Sequence, residues 1–152
     1  MAEEHFFGVY LRNKLGARFH HRQHYNTGPK LVAACLPNEQ HEIGLLLFAL
    51  AAHERGFQIV LLGGNMPIEE LATVVKKTKA DAVVLSGSML INDENIFSTI
   101  QRLVSDIDSP VFIGGRAATK YQNELARIHA IPAGDDLLDG LKIIRNTLIK
   151  NQ

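Results

Sequence analysis

From Lys30 onward the chain alternates short apolar runs with longer segments of helical spacing, and this alternation restricts the possible folds more than any other feature. The runs, rich in Val, Ile and Leu, are Leu31–Leu36, Phe57–Leu62, Ala82–Leu85, Val111–Ile113 and a weaker Ala130–Ile131. The segments that follow them predict helices over about 42–54, 67–78, 93–105, 117–127 and 135–149. Pro67, followed by Glu69 and Glu70, suits a first helical turn, and Gly56 suits the end of the preceding helix. Strands that are apolar at every residue are buried on both faces, so five strand–helix units predict a parallel sheet covered by helices on both sides.

The expected architecture is a flavodoxin-like (Rossmann-like), doubly wound α/β domain with a five-stranded parallel sheet. Its expected order is 2-1-3-4-5, the common arrangement for five strands, which periodicity alone does not determine. The first thirty residues read differently. Phe6, Phe7, Val9, Tyr10, Leu11, Leu15 and Phe19 recur at roughly helical spacing, which predicts an amphipathic helix from Glu4 to about Arg18. The stretch His20-His21-Arg22-Gln23-His24-Tyr25-Asn26, closed by Gly28-Pro29, reads as a solvated connector. Residues 1–29 are thus expected as N-terminal helix and connector, and residues 30–152 as one α/β domain.

With 16 basic and 16 acidic residues the formal net charge is zero, which argues against a domain-wide electrostatic footprint for nucleic acid or anionic membrane. Cys35, the single cysteine, cannot form an intrachain disulfide and lies in an apolar run, so it reads as a small buried hydrophobe in a reducing compartment. No apolar stretch approaches the ~20 residues of a membrane span, and the N-terminus lacks a signal core. The expected location is the cytoplasm.

In doubly wound sheets a ligand binds outside the carboxyl ends of the strands where the order reverses, here between strands 1 and 3. The loop after strand 1 reads Pro37-Asn38-Glu39-Gln40-His41-Glu42-Ile43-Gly44 and holds an imidazole with a carboxylate two residues before it. The loop after strand 3, Ser86-Gly87-Ser88-Met89-Leu90, offers hydroxyls on a flexible turn. After strand 4, Gly114-Gly115-Arg116 lets a bulky group approach the backbone. A dinucleotide site would need G-x-G-x-x-G after strand 1, a Walker loop would need G-K-[ST], and a phosphate-accepting receiver would need clustered aspartates at the end of strand 1. None of these is found there. His53 and His129 are expected at the surface, without chemistry.

Glu39-x-His41-x-x-Gly44, Ser86-Gly87-Ser88 and Gly114-Gly115 together resemble the D-x-H-x-x-G, S-x-L and G-G signature of base-off, His-on cobalamin-binding domains. There are 41 residues between Gly44 and Ser86, and 27 between Ser86 and Gly114, as in that family. The resemblance covers Lys30 to about Lys150. It implies that His41 ligates cobalt in place of the cofactor's own benzimidazole, and that Glu39 fixes the imidazole's tautomer and orientation. Gln40, Ile43, Gly44, Ser86, Ser88, Leu90, Gly114 and Gly115 would bind the cofactor, with the glycines giving clearance for the displaced nucleotide tail and Ser86 and Ser88 hydrogen-bonding it. This sequence departs from the pattern in two places. Glutamate replaces the aspartate, and the leucine of S-x-L falls on Ser88 unless the motif is read as Ser88-Met89-Leu90.

Glu4-His5 before an apolar helix resembles the end of the W-x9-E-H motif in light-responsive, cobalamin-dependent transcriptional regulators of the MerR family, whose helical bundle covers adenosylcobalamin. The chain contains no tryptophan. The resemblance implies that residues 1–29 are the remnant of a helical cap. The module would then be sensory or regulatory, without catalysis of its own, with adenosylcobalamin favoured and methylcobalamin possible. Its partners would be cobalamin, a possible homo-oligomer, and DNA only through a domain outside this chain. The alternative is a corrinoid carrier, or the small subunit of a cobalamin-dependent methyltransferase or mutase.

Overall fold

A computed structural model of the protein describes residues 2–22, 26–39, 42–64, 66–87 and 95–151. Twelve elements follow one another among them: α1 (Ala2–Arg22), β1 (Lys30–Cys35), α2 (Ile43–Glu54), β2 (Gln58–Gly63), α3 (Ile68–Thr78), β3 (Ala82–Ser86), α4 (Asn95–Asp106), β4 (Val111–Gly114), α5 (Arg116–Lys120), α6 (Gln122–Arg127), β5 (Ile131–Pro132) and α7 (Leu137–Lys150). All strand pairs are parallel and the sheet order is β2-β1-β3-β4-β5, as expected.

The two faces of the sheet follow from the two-residue period of the strands. Val32, Ala34, Val83, Leu85, Val111 and Ile113 point to one side, where they pack on Ile68, Leu71 and Val75 of α3, Ile100 and Leu103 of α4, and Leu125 of α6. Leu31, Ala33, Cys35, Ala82, Val84 and Phe112 point to the other, against Leu45, Ala49 and Ala52 of α2 and Leu141, Ile144 and Leu148 of α7. Each continuous apolar run therefore feeds two cores at once.

The local signals act as expected at several ends. Pro67 is the extended cap residue of α3, with Glu69 and Glu70 in the first turn. Gly56 closes α2 at φ +92° and its N–H donates to His53 O at 3.1 Å. At α7 the Asp136 side chain accepts from Asp139 N at 2.9 Å, satisfying one of the free N–H groups of the first turn.

Four expectations need correction. The N-terminal helix does not stop near Arg18 but runs to Arg22, so the backbone of His20, His21 and Arg22 is helical rather than part of a connector. A polar composition does not end a helix when no glycine or proline intervenes. Gln23, His24 and Tyr25 lie outside the described residues. The apolar stripe of α1 is mostly not buried either: Leu11 packs on Leu46 of α2, with Ile43, Leu50 and Leu61 beside it, whereas Phe6, Phe7, Val9 and Tyr10 are exposed. The helix expected over 117–127 is two short ones that meet at Tyr121, whose backbone leaves the helical region at φ −112°, ψ 32°. The Tyr121 ring stands edge-on to Phe97, centroids 5.5 Å apart. Finally, His53 is buried, at 5% exposure, not at the surface. It belongs to a helix that is apolar almost all round, because the sheet covers one side and α1 the other. His129 is exposed as expected, in the left-handed region at φ 63°.

Candidate functional site

The carboxyl ends of β1, β3 and β4 converge where the strand order reverses. Leu36 N donates to Ser86 O at 2.8 Å, and Gly87 N donates to Gly114 O at 3.1 Å, so the three strand ends are tied together in one row. Gly115 N continues the row to Gly134 O at 3.0 Å. Gly115 is confined to glycine by two facts: its φ is +83°, and a Cβ there would lie 2.3 Å from Gly87 O. At Gly87 a Cβ would meet Leu36 Cδ1 at 2.6 Å. The second residue of the G-G pair and the glycine after Ser86 thus serve the close approach of two loops.

Beside this row a cleft of about 170 Å³ runs between α2 and α7 over the sheet. Gly44, Leu45, Leu47 and Phe48 of α2 form one wall, and Leu137, Gly140 and Ile144 of α7 the other. Val84, Ser86, Gly114 and Gly115 form the floor with Ala133 and Gly134, and Asp135 and Asp136 sit in the loop before α7. No atom lies within 4 Å of where a Cβ of Gly44 would stand. Gly140 lets α7 come close to the β5–α7 loop, since a Cβ there would lie 3.2 Å from Ala133 O.

Four residues singled out in the sequence, Gly44, Ser86, Gly114 and Gly115, are therefore brought to one cleft from three different loops. Ile43, half-buried at the start of α2, packs instead with Leu11 and Leu46. Glu39 lies at the end of β1, where its N–H donates to Leu36 O at 3.1 Å after the left-handed turn residue Asn38. Gln40, His41, Ser88 and Leu90 lie outside the described residues. Sequence reasoning missed the α7 wall and the aromatic wall residue Phe48. Gly140, a glycine inside a helical pattern, was the available signal for the first.

Charge gathers at the β1 end. Cys35, 1% exposed, has its thiol pushed from the ordinary 9.0 up to about 11, first by burial and then by the negative charge of Glu39, with Arg12 acting in the opposite direction. This thiol stays protonated at neutral pH. Glu42, the residue before α2, does not cap its own helix. Its Oε1 accepts from Gly64 N at 2.8 Å, and its Oε2 is ion-paired with Arg12 of α1.

The cleft walls are apolar and glycine-rich, with a hydroxyl at Ser86, which suits a flat heteroaromatic ring system carried on a polar chain. Residues 29–142 match the family model of the B12 binding domain. The chain belongs to the B12-binding domain family. Among the relatives of this B12-binding domain, the HTH-type transcriptional repressor CarH of Myxococcus xanthus is 32% identical over 142 residues, 90% of this chain and 46% of that protein. Methionine synthase of Mycobacterium leprae (strain TN) is 30% identical over 123 residues, 76% of this chain and 10% of that protein. A crystal structure of a cobalamin-binding protein from Desulfitobacterium hafniense DCB-2 superposes with a TM-score of 0.64 at 25% identity, over 79% of this chain and 59% of that one. The chain thus spans less than half the length of either curated relative. Its ligand is cobalamin, as the family match shows.

Proposed function

We propose that this B12-binding domain holds cobalamin base-off and His-on, as a cytoplasmic sensory or regulatory module of a transcriptional regulator. The observation that carries the reading is the cleft between α2 and α7, which brings Gly44, Ser86, Gly114 and Gly115 to one place from three loops. These are the residues that the family signature assigns to the displaced nucleotide tail. Bound cobalamin supplies a cobalt whose upper ligand can be exchanged or released. The chain's own task is to bind and orient it.

In this reading His41 presents a neutral imidazole nitrogen beneath the corrin, and Glu39 accepts from its other ring N–H, fixing the tautomer. Ser86 hydrogen-bonds the tail, and Gly44 and Gly114 leave room for it. Gln40, Ser88 and Leu90 complete the surroundings. Similarity to the CarH repressor along 90% of this chain supports the regulatory role; in this reading adenosylcobalamin is the favoured form and DNA is bound through a separate domain. Exposure of Phe6, Phe7, Val9 and Tyr10 supports α1 as one part of a larger helical cap over the cofactor. The similarity to methionine synthase supports a second reading, a corrinoid carrier or subunit that brings a methyl-bearing cofactor to a partner enzyme.

The two readings part in a titration. Adenosyl-, methyl- and hydroxocobalamin are added to the chain and absorbance is recorded before and after illumination. Preference for the adenosyl form with a light-driven change in assembly supports the sensor, and methyl exchange with a partner protein supports the carrier. In either case His41→Ala abolishes the histidine-ligated spectrum, and its survival in that variant would remove the ligand assignment.

A further inference from the structure

We infer that Glu42 is a positioning residue that sets the loop bearing His41 and couples it to the N-terminal helix α1. This inference rests on the cobalamin reading above. Three observations converge on the Glu42 carboxylate. It makes no side-chain cap to its own helix α2. It reaches the turn after β2 instead, accepting from Gly64 N at 2.8 Å in a half-buried setting. Its other oxygen meets the guanidinium of Arg12, thirty residues away on α1.

The glycine pair at the end of β2 is shaped for this carboxylate. A Cβ at Gly64 would stand 2.8 Å from Glu42 Oε1 and 3.7 Å from the backbone oxygen of Glu39. A Cβ at Gly63, which has φ +78°, would stand 3.2 Å from the same Oε1 and 3.8 Å from the Arg12 guanidinium. The turn therefore receives both ends of the loop segment that runs from Glu39 to Glu42, and His41 lies between those two residues in sequence. Fixing residues on either side of a ligand limits the backbone positions open to it, and small misplacements of a reacting or ligating group are costly.

The Arg12 side chain is 57% exposed and Glu42 is 28% exposed, so the ion pair alone is a weak bond. Its weakness suits a coupling role. The link can break when α1 moves, and the Gly64 bond then loses the charge partner that held the carboxylate in place. Because coupling is reciprocal, a cofactor that prefers the ordered loop also favours docked α1.

The test uses the full chain, hydroxocobalamin as probe, and amide exchange on the cofactor-free protein. Glu42→Ala is expected to speed exchange at Gly64 and along α1 before any cofactor is added. It should also weaken hydroxocobalamin binding by roughly tenfold or more and lower the histidine-ligated fraction of the bound form. Glu42→Gln keeps the acceptor for Gly64 N and should restore most of the affinity. Arg12→Gln removes only the exposed charge and should cost about two- to threefold. Faster Gly64 exchange with unchanged affinity and unchanged ligation would make Glu42 a mere tether and overturn the positioning role. No change in any of the three readouts overturns the whole inference. If the unaltered chain takes up no hydroxocobalamin, the functional reading fails first and this inference falls with it.

Discussion

Cys35 shows how much one residue's surroundings decide. Its apolar neighbours in the sequence are enough to anticipate burial, and it is buried. They do not announce the carboxylate of Glu39, which comes round from the next loop to oppose ionisation. The folded thiol titrates near 11 rather than 9.0, so between those values the folded chain keeps a proton that the unfolded chain has lost. The resulting stability is complete below about pH 9 and disappears as pH rises through about 11. Urea unfolding of the protein and of Cys35→Ala should show their stability difference shrinking by about 2–3 kcal/mol between about pH 8 and pH 11. A difference that stays level across that range contradicts the thiol's raised pKa. His53 teaches the opposite lesson. A lone histidine near a helix end reads as a surface residue, and only the tertiary packing around the end of α2, where Asn26 donates to His53 O at 3.0 Å, puts it inside.

Among the elements, α1 packs chiefly on α2. Leu11 is its buried apolar side chain among those described, and Arg12 reaches Glu42 from the next position. A terminal helix packed mainly on one neighbouring helix opens locally before the rest of the protein unfolds. Leu11→Ala should raise amide exchange along α1 at least tenfold while changing the urea stability of the α/β domain by less than about 1 kcal/mol. Equal loss in both would mean that α1 folds as one unit with the sheet. The α/β elements were legible because each carries its own signal: an apolar run for a strand, 3.6-residue spacing for a helix, glycine or proline at the ends. The break at Tyr121 was not legible, since no glycine or proline marks it and the contact of Tyr121 with Phe97 lies far away in sequence. The extent of α1 was misjudged for a related reason: histidine and arginine tolerate a helix, and composition alone placed its end too early.

At the scale of the molecule, the cleft exists because helices α2 and α7 cover the same face of the sheet and stand apart over β3 and β4. Gly44 sits in the wall of this cleft near the start of a helix, with no atom within 4 Å of a would-be Cβ. Gly44→Leu should therefore separate two properties that usually fall together. Fold stability should hold or rise by up to about 1 kcal/mol, because a helical glycine is replaced by a better helix former. Cobalamin affinity should drop roughly tenfold or more, because the side chain enters space reserved for the tail. Unchanged affinity in this variant would place the tail elsewhere. Among the described residues no helix is long and apolar enough to cross a bilayer.

Read by itself, the chain determined which segments are strands and helices and which loops carry unusual residues, because periodicity and turn chemistry act over a few neighbouring positions. The three motifs resemble those of cobalamin-binding domains, and the family match agrees with that resemblance. Tertiary structure alone decided what faces what: the α7 wall opposite Gly44, the meeting of Arg12 with Glu42 and of Glu42 with Gly64, and the enclosure of His53. Those relations join residues tens of positions apart, and they arise from how the layers pack rather than from any local preference of the chain.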